Sequence, residues 1–131
     1  MTGDGSGEGR RGAVFTCAYA PHSLLFPRVD LIVHHGGIGT TGQALRAGKP
    51  QLVVPHMGDQ SDNARRIVRM GVGRQLAPRG FTTQGAASVL STLMADEGLR
   101  SQARRVGKLI SSEDGAAAAA LVIARLVDAR R

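Results

Sequence analysis

Apolar residues in the first half of the chain fall into short continuous runs, and in the second half they recur at helical spacing. Runs at residues 13–17 (AVFTC), 29–34 (VDLIVH) and 50–54 (PQLVV) predict strands. The run at 29–34 is nearly continuous, as expected for a strand that is covered on both faces of a parallel sheet. A further short strand is predicted at residues 74–77.

Helices are predicted between and after these strands from apolar periodicity and from residues that start or stop helices. The segment 59–70 has acidic residues in its first turn and arginines in its last, and Gly71 follows it, in keeping with the helix dipole. The predicted helices are residues 40–47, 59–70, 82–94, 96–110 and 113–130. The last helix is rich in alanine, and its apolar residues are expected to pack: Leu121, Val122, Leu126 and Val127.

The order of these elements predicts an α/β fold with a Rossmann-like parallel sheet of three or four strands, flanked by helices. Residues 1–12 (MTGDGSGEGRRG) are rich in glycine and charge and carry no apolar periodicity, so they are predicted to form a flexible tail. Residues 13–131 are predicted to form one domain, because 131 residues is a typical length for a single domain.

Composition excludes several classes of protein. Hydrophobic residues make up 42% of the chain, which is enough for a core. The single cysteine, Cys17, excludes a disulfide scaffold and a cysteine-based zinc site. No apolar run reaches the length of a membrane span, and residues 1–12 lack the apolar region of a signal peptide. We therefore expect a cytoplasmic protein.

The charge balance is strongly basic but does not indicate nucleic-acid binding. The chain has seventeen Lys and Arg residues and ten Asp and Glu residues, which gives a formal net charge of +7. The arginines are scattered along the chain, whereas a nucleic-acid surface gathers them on one face. Three Phe, one Tyr and no Trp leave few rings on which single-stranded bases could stack. We expect no nucleic-acid partner.

Residues 34–43 (HHGGIGTTGQ) place a glycine-rich turn between a predicted buried strand and a helix. Backbone N–H groups at a helix N-terminus are unpaired, and the helix dipole favours an anion there. Glycines let a phosphate approach the backbone, and His35, Thr40 and Thr41 add donors. His34 and His35 point to opposite faces of the strand, so we expect His34 to be packed or hydrogen-bonded in the core. The turn predicts a pyrophosphate site.

A dinucleotide-binding domain is an alternative interpretation of the same turn. Residues 37–42 match the pattern GxGxxG, and Asp59 lies 22 residues after Gly37, near the spacing of the acid that holds the ribose. In that fingerprint the acid ends the second strand, whereas residues 55–58 (PHMG) separate Asp59 from Val54. An NAD- or FAD-binding domain therefore stays as an alternative.

Residues 34–73 as a whole resemble the donor-binding motif of family 1 glycosyltransferases of the GT-B fold. They are especially similar to bacterial natural-product and sterol-type glucosyltransferases. Residues 19–22 (YAPH) resemble the Trp-Ala-Pro-Gln that opens the corresponding plant motif. The likeness is close over residues 13–75 and loose over the later helices.

The resemblance implies a site for the diphosphate of a nucleotide sugar. His35 falls on the histidine that contacts the pyrophosphate of the donor. Gly37, Gly39 and Thr40 fall on the turn that cradles the phosphates.

The resemblance also assigns the two ends of the donor. Asp59 and Gln60 fall on the pair that hydrogen-bonds the sugar hydroxyls, for which an acceptor beside an amide is chemically suited. Tyr19 and His22 fall where the nucleobase is stacked and its edge is contacted. Gln43 takes the place of a glutamate that binds the ribose in plant members.

The activity implied by the resemblance is transfer of a hexose from UDP or dTDP to an acceptor hydroxyl, with no further cofactor. The four histidines include no helical i, i+4 pair, so we expect no metal site. Such transfer needs a general base, which in the family belongs to an N-terminal, acceptor-binding domain. By this resemblance the chain corresponds to the C-terminal half, shortened at its N-terminus, with its base and acceptor site in another domain or subunit. The alternative is a non-catalytic nucleotide-binding or interaction module.

Overall fold

The structure is a computed structural model that describes residues 9–129. Its strands are β1 (Gly9–Arg11), β2 (Val14–Thr16), β3 (Ile32–His34), β4 (Gln51–Val53) and β5 (Gly73–Gln75). Its α-helices are α1 (His22–Leu25), α2 (Ile38–Arg46), α3 (Gln60–Arg69), α4 (Thr83–Ala95), α5 (Glu97–Ser111) and α6 (Gly115–Asp128). Strands β3, β4 and β5 form a parallel sheet in that order, so the predicted α/β fold is confirmed.

The parallel sheet has β4 at its centre, and β4 is fully buried. Ile32 in β3 pairs with Gln51 in β4, and Leu52 pairs with Arg74 in β5. Helix α2 connects β3 to β4, and α3 connects β4 to β5. This arrangement brings the carboxyl ends of β3 and β4, and the loops that follow them, to one edge of the sheet.

Helices cover both faces of the sheet because successive side chains of β4 point in opposite directions. Val53 packs on one face with Ala64 and Ile67 of α3 and with Ala103 of α5. Leu52 and Val54 pack on the other face with Leu93 of α4 and Leu99 of α5. A third cluster joins Phe26, Ile32 and Ala44 beside the edge strand β3.

The first strands form a hairpin that is separate from this sheet. Strand β1 pairs antiparallel with β2, and Gly12 turns the chain between them at φ +59°. The prediction of a flexible tail is therefore wrong for Gly9–Arg11, and residues 1–8 lie outside the described residues. A run of three residues has no periodicity that identifies its partner, and a left-handed glycine permits a tight turn to the nearest strand. The side chain of Phe15 is 71% exposed.

Helices α4, α5 and α6 each begin after a side chain that caps the first turn. The side chain of Thr82 accepts a hydrogen bond from the backbone N–H of Gly85 at 3.1 Å, and Asp96 accepts one from Leu99 at 2.8 Å. Asp114 caps α6 in the same way. Short side chains of this kind stabilise a helix by satisfying N–H groups of its first turn.

Helix α6 forms as predicted, but its apolar residues do not pack. Every residue described in α6 is exposed, and Leu121 and Leu126 are each 61% exposed. The expectation that they pack is wrong because periodicity defines which residues share a face, not what that face meets. Within residues 9–129, no helix combines the length and the apolar character needed to cross a membrane.

Candidate functional site

The glycine turn lies at the carboxyl end of β3 and leads directly into α2. Gly37 occupies the N-cap position of α2 in an extended conformation, and no side chain caps the first turn. The first helical hydrogen bond runs from the N–H of Thr41 to the carbonyl of Gly37 at 2.9 Å. The N–H groups of residues 38–40 therefore begin the helix without a capping acceptor, which is the arrangement that binds anions.

His35 lies across this turn. Its side chain is exposed, and its Nε2 would be 2.6 Å from a Cβ atom added at Gly37. Glycine at position 37 thus leaves the space that the imidazole occupies. Thr40 is partly exposed on the first turn of α2, whereas Thr41 is only 4% exposed and its hydroxyl is buried. The expectation that Thr41 supplies a donor to a ligand is wrong, because its side chain points away from solvent.

His34 is half-buried and hydrogen-bonded beneath the turn, which agrees with the prediction that it is packed or hydrogen-bonded. Its Nδ1 accepts a hydrogen bond from the backbone N–H of Gly36 at 3.1 Å, and its Nε2 lies 2.9 Å from Oε1 of Gln51. An amide N–H is always a donor, so Nδ1 is unprotonated and the proton sits on Nε2, which donates to Gln51. Burial lowers the pKa of His34, which favours this neutral form.

Asp59 follows the loop after β4 and occupies the N-cap position of α3. Its carboxylate makes no hydrogen bond to the first turn of the helix, so the capping role that an acid commonly has there is absent. Instead, Oδ2 of Asp59 accepts a hydrogen bond from Nδ2 of Asn63 at 2.9 Å. Asp59 is exposed, on the same sheet edge as the glycine turn.

The side chain of Gln60 folds back onto the loop that precedes α3. Its Oε1 accepts hydrogen bonds from the backbone N–H groups of His56 at 2.8 Å and Met57 at 3.2 Å. This oxygen therefore orders the loop, and the Nε2 group is the part of Gln60 that can serve a ligand as a donor.

The predicted residues Tyr19, His22 and Gln43 meet at a pocket beside α2. Tyr19, Pro21, His22 and Gln43 line an open pocket of about 360 Å³. Tyr19 is 80% exposed, and the ring of His22 stacks on Phe26 with 4.4 Å between the ring centroids. Gln43 is three residues beyond Thr40 on α2, so both lie on one face of the helix. The helix face thus connects the glycine turn to this pocket.

Comparison with known proteins gives the family. A family model described as "Erythromycin biosynthesis protein CIII-like, C-terminal domain" matches residues 11–126. The chain belongs to this family. It is a C-terminal domain of the GT-B glycosyltransferases, and this membership favours the glycosyltransferase interpretation over a dinucleotide-binding domain.

Individual relatives of this glycosyltransferase domain agree with the assignment. It is 40% identical over 116 residues to a sterol 3-beta-glucosyltransferase of Cryptococcus neoformans, covering 85% of this chain and 7% of the relative. The spinosyn forosaminyltransferase superposes with a TM-score of 0.83 at 25% identity, covering 92% of this chain and 32% of the other. A spinosyn rhamnosyltransferase complexed with thymidine diphosphate gives 0.67 at 28% identity, covering 79% and 29%.

The chain therefore spans a small part of the sterol glucosyltransferase and about a third of these two solved enzymes. Within the part of the chain that the structure describes, no cluster of three or more His, Cys, Asp or Glu side chains could hold a metal ion.

Sequence reasoning missed Asn63 as a part of this site. Asn63 is only 8% exposed, on the face of α3 that also buries Ala64 and Ile67. A signal for it was available, because an asparagine at an inward position of an amphipathic helix needs hydrogen-bond partners. Those partners are the carbonyl of Gly36 and the carboxylate of Asp59, both at 2.9 Å.

Proposed function

We propose that this domain binds the nucleotide-sugar donor, a UDP- or dTDP-hexose, for transfer of the sugar to an acceptor hydroxyl. The observation that carries the proposal is the uncapped N-terminus of α2, with Gly37 at its cap position and the imidazole of His35 lying across the turn. The thymidine diphosphate complex of the related spinosyn rhamnosyltransferase supports a nucleoside diphosphate as the ligand class.

The pyrophosphate would bind at the glycine turn. The N–H groups at the start of α2 and the positive end of the helix dipole attract an anion, and a helix terminus carries about half an elementary charge. Gly39 has no atom within 4 Å of the position where a Cβ would stand, so a phosphate can come close to the backbone there. His35 and the hydroxyl of Thr40 would donate further hydrogen bonds to phosphate oxygens.

The nucleoside would occupy the pocket beside α2. The exposed ring of Tyr19 offers a stacking surface for a base, and His22, held by its stack on Phe26, lies at the same pocket. The amide of Gln43 can accept hydrogen bonds from ribose hydroxyls. UDP and dTDP share this chemistry, since both carry a pyrimidine and a diphosphate.

The hexose would bind on the side of Asp59. One carboxylate oxygen of Asp59 is taken by Asn63, and the other is available to accept hydrogen bonds from sugar hydroxyls. The Nε2 group of Gln60 would add a donor. No cofactor beyond the nucleotide sugar enters this proposal.

The acceptor and the general base would come from a partner. We propose an acceptor-binding glycosyltransferase domain or subunit, because this chain corresponds to about a third of the solved glycosyltransferases. Without that partner the chain is expected to bind the donor and not to transfer the sugar. A cytoplasmic location is part of the proposal and accords with a single free cysteine, Cys17.

Calorimetric titration of the purified chain with UDP, dTDP and NADH tests the ligand class. Binding of UDP or dTDP without binding of NADH is expected. A folded chain that binds neither diphosphate would refute the proposal. Sugar transfer by the chain alone at enzymatic rates would contradict the need for a partner.

Substitution of His35 tests the pyrophosphate site. A hydrogen bond from a side chain to a phosphate oxygen contributes about 1.5–3 kcal/mol, so His35→Ala should weaken UDP or dTDP binding at least about tenfold. His35→Gln keeps an N–H donor and should lose less. Unchanged affinity in His35→Ala, measured by the same titration, would remove His35 from the site.

The sugar side is tested with Asp59→Asn, which keeps an acceptor for Asn63 and removes the charge. Affinity for UDP or dTDP should stay nearly unchanged, while affinity for the corresponding nucleotide-hexose should fall. An equal fall for both ligands would show that Asp59 does not contact the sugar.

A further inference from the structure

Both polar groups of the Gly36 backbone are held by side chains. Its N–H donates to Nδ1 of His34 at 3.1 Å, and its carbonyl accepts from Nδ2 of Asn63 at 2.9 Å. His34 comes from β3, whereas Asn63 comes from α3, 27 residues away from Gly36. The glycine turn is therefore anchored from two different elements.

Asn63 also holds Asp59 with the same amide group. Nδ2 of Asn63 lies 2.9 Å from the carbonyl oxygen of Gly36 and 2.9 Å from Oδ2 of Asp59. Both of these oxygens are acceptors, so the amide nitrogen and not the amide oxygen must face them. The two N–H bonds of one nearly buried side chain thus connect the turn after β3 to the acid after β4.

Gly36 is also closely packed against neighbouring residues. A Cβ atom at this position would lie 2.8 Å from Cγ1 of Val53 and 3.0 Å from the backbone oxygen of Gln60. The backbone of the turn therefore touches the start of α3, on which Asp59 and Asn63 stand. The distance between the glycine turn and Asp59 is held by packing and by the two hydrogen bonds of Asn63 together.

We propose that Asn63 is a positioning residue, which fixes the Asp59 carboxylate relative to the glycine turn. In this way Asn63 sets the preference of the site for a sugar-bearing nucleotide over the free diphosphate. The inference rests on the proposed function, because it takes the turn as the pyrophosphate site and Asp59 as the sugar contact. Asn63 is buried and acts through Asp59 without touching the sugar.

A purely structural role for Asn63 makes a different prediction. Loss of a buried amide would then lower the stability of the fold and weaken all ligands alike. A positioning role changes the ratio of two affinities measured on the same folded variant, because the free diphosphate does not use Asp59.

The test is calorimetric titration of the 131-residue chain with UDP, dTDP, UDP-glucose and dTDP-glucose. Asn63→Ala is expected to reduce the affinity for the glucose conjugates relative to the free diphosphates by on the order of tenfold, the effect of losing one hydrogen bond to a charged group. In Asp59→Ala the same reduction is expected, and adding Asn63→Ala to it should change the ratio no further.

Gln102→Ala is the matched control. Nδ2 of Asn63 and Nε2 of Gln102 each donate to a backbone carbonyl at 2.9 Å, but Gln102 holds Met70 at the far end of α3. Gln102→Ala should lower the thermal midpoint and leave the affinity ratio at the wild-type value. Asn63→Ser is a second variant for the case that Asn63→Ala does not fold. Its ratio of the affinity for the glucose conjugate to that for the free diphosphate should lie between the ratios of wild type and Asp59→Ala.

Each outcome decides one of the two proposals. A wild-type ratio in the folded Asn63 variant, or additive effects of Asn63→Ala and Asp59→Ala, overturns the positioning role while diphosphate binding stands. A wild-type ratio in Asp59→Ala overturns it as well. A folded wild-type chain that binds none of the four ligands refutes the proposed function itself.

Discussion

Replacing Gly36 by alanine should destabilise the domain strongly, and two separate causes add to the cost. Gly36 has φ +93°, where an L side chain is strained by about 1–2 kcal/mol. The new methyl group would also lie 2.8 Å from Cγ1 of Val53, which is fully buried in β4. Overpacking of a core costs about 1–3 kcal/mol, so the total is about 2–5 kcal/mol.

Urea denaturation followed by circular dichroism measures this loss. With a dependence on urea of about 2 kcal/mol/M, the midpoint of unfolding should fall by about 1–2.5 M. Gly39→Ala and Gly42→Ala are the controls, because neither position has an atom within 4 Å of an added Cβ and both lie inside α2. These two variants should keep or raise the midpoint, since alanine favours a helix by up to about 1 kcal/mol. A wild-type midpoint for Gly36→Ala would refute the argument that Gly36 is packed tightly between β4 and the start of α3.

Three further predictions concern the core and the loop. Burial lowers the pKa of His34 from its ordinary value of 6.5. Below about pH 6.5 the unfolded chain therefore takes up a proton before the folded chain does. The stability of the fold then decreases until the pH has passed the lowered pKa. The thermal midpoint should therefore drop as the pH is lowered below about 6.5, and the same drop in His34→Gln would contradict this. Leu93→Ala in the core should lower the free energy of unfolding, measured by urea denaturation, by about 2–5 kcal/mol. Leu121→Ala on the exposed helix α6 should change it by no more than about 0.5 kcal/mol, and equal losses would contradict the assigned burial. Gln60→Ala removes the acceptor for two loop N–H groups and should speed hydrogen exchange at His56 and Met57, while unchanged exchange rates would show that the loop is held by other contacts.

The roles of individual donor-contacting residues stay predictions, but the structure decides which of them are neighbours. Tyr19, His22 and Gln43 meet at one pocket, although 24 residues separate the first from the last. The imidazole of His35 occupies the space that a Cβ atom at Gly37 would need, at the start of α2. No local pattern in the sequence predicts that Tyr19, His22 and Gln43 meet, because the packing of α1 against α2 creates their pocket.

Local sequence signals determined the parallel strands, the helices and the position of the glycine turn. The apolar runs at 29–34 and 50–54 and the capping residues Thr82 and Asp96 act over a few neighbours, so the sequence alone is sufficient for them. The inward direction of the half-buried His34 side chain also follows from strand alternation. The same local signals predicted Asp59 at the start of a helix.

Only the tertiary structure decided what Asp59 does at that helix start. The register of β3 beside β4 brings Gly36 over the start of α3. The amide of Asn63 can then donate both to the carbonyl oxygen of Gly36 and to the carboxylate of Asp59, so this carboxylate turns to Asn63 and not to the helix N-terminus. The antiparallel pairing of Gly9–Arg11 with Val14–Thr16 and the exposed face of α6 are decided at this level too. All of these features depend on which surfaces meet, and the spacing of residues within a single helix or strand does not contain that information.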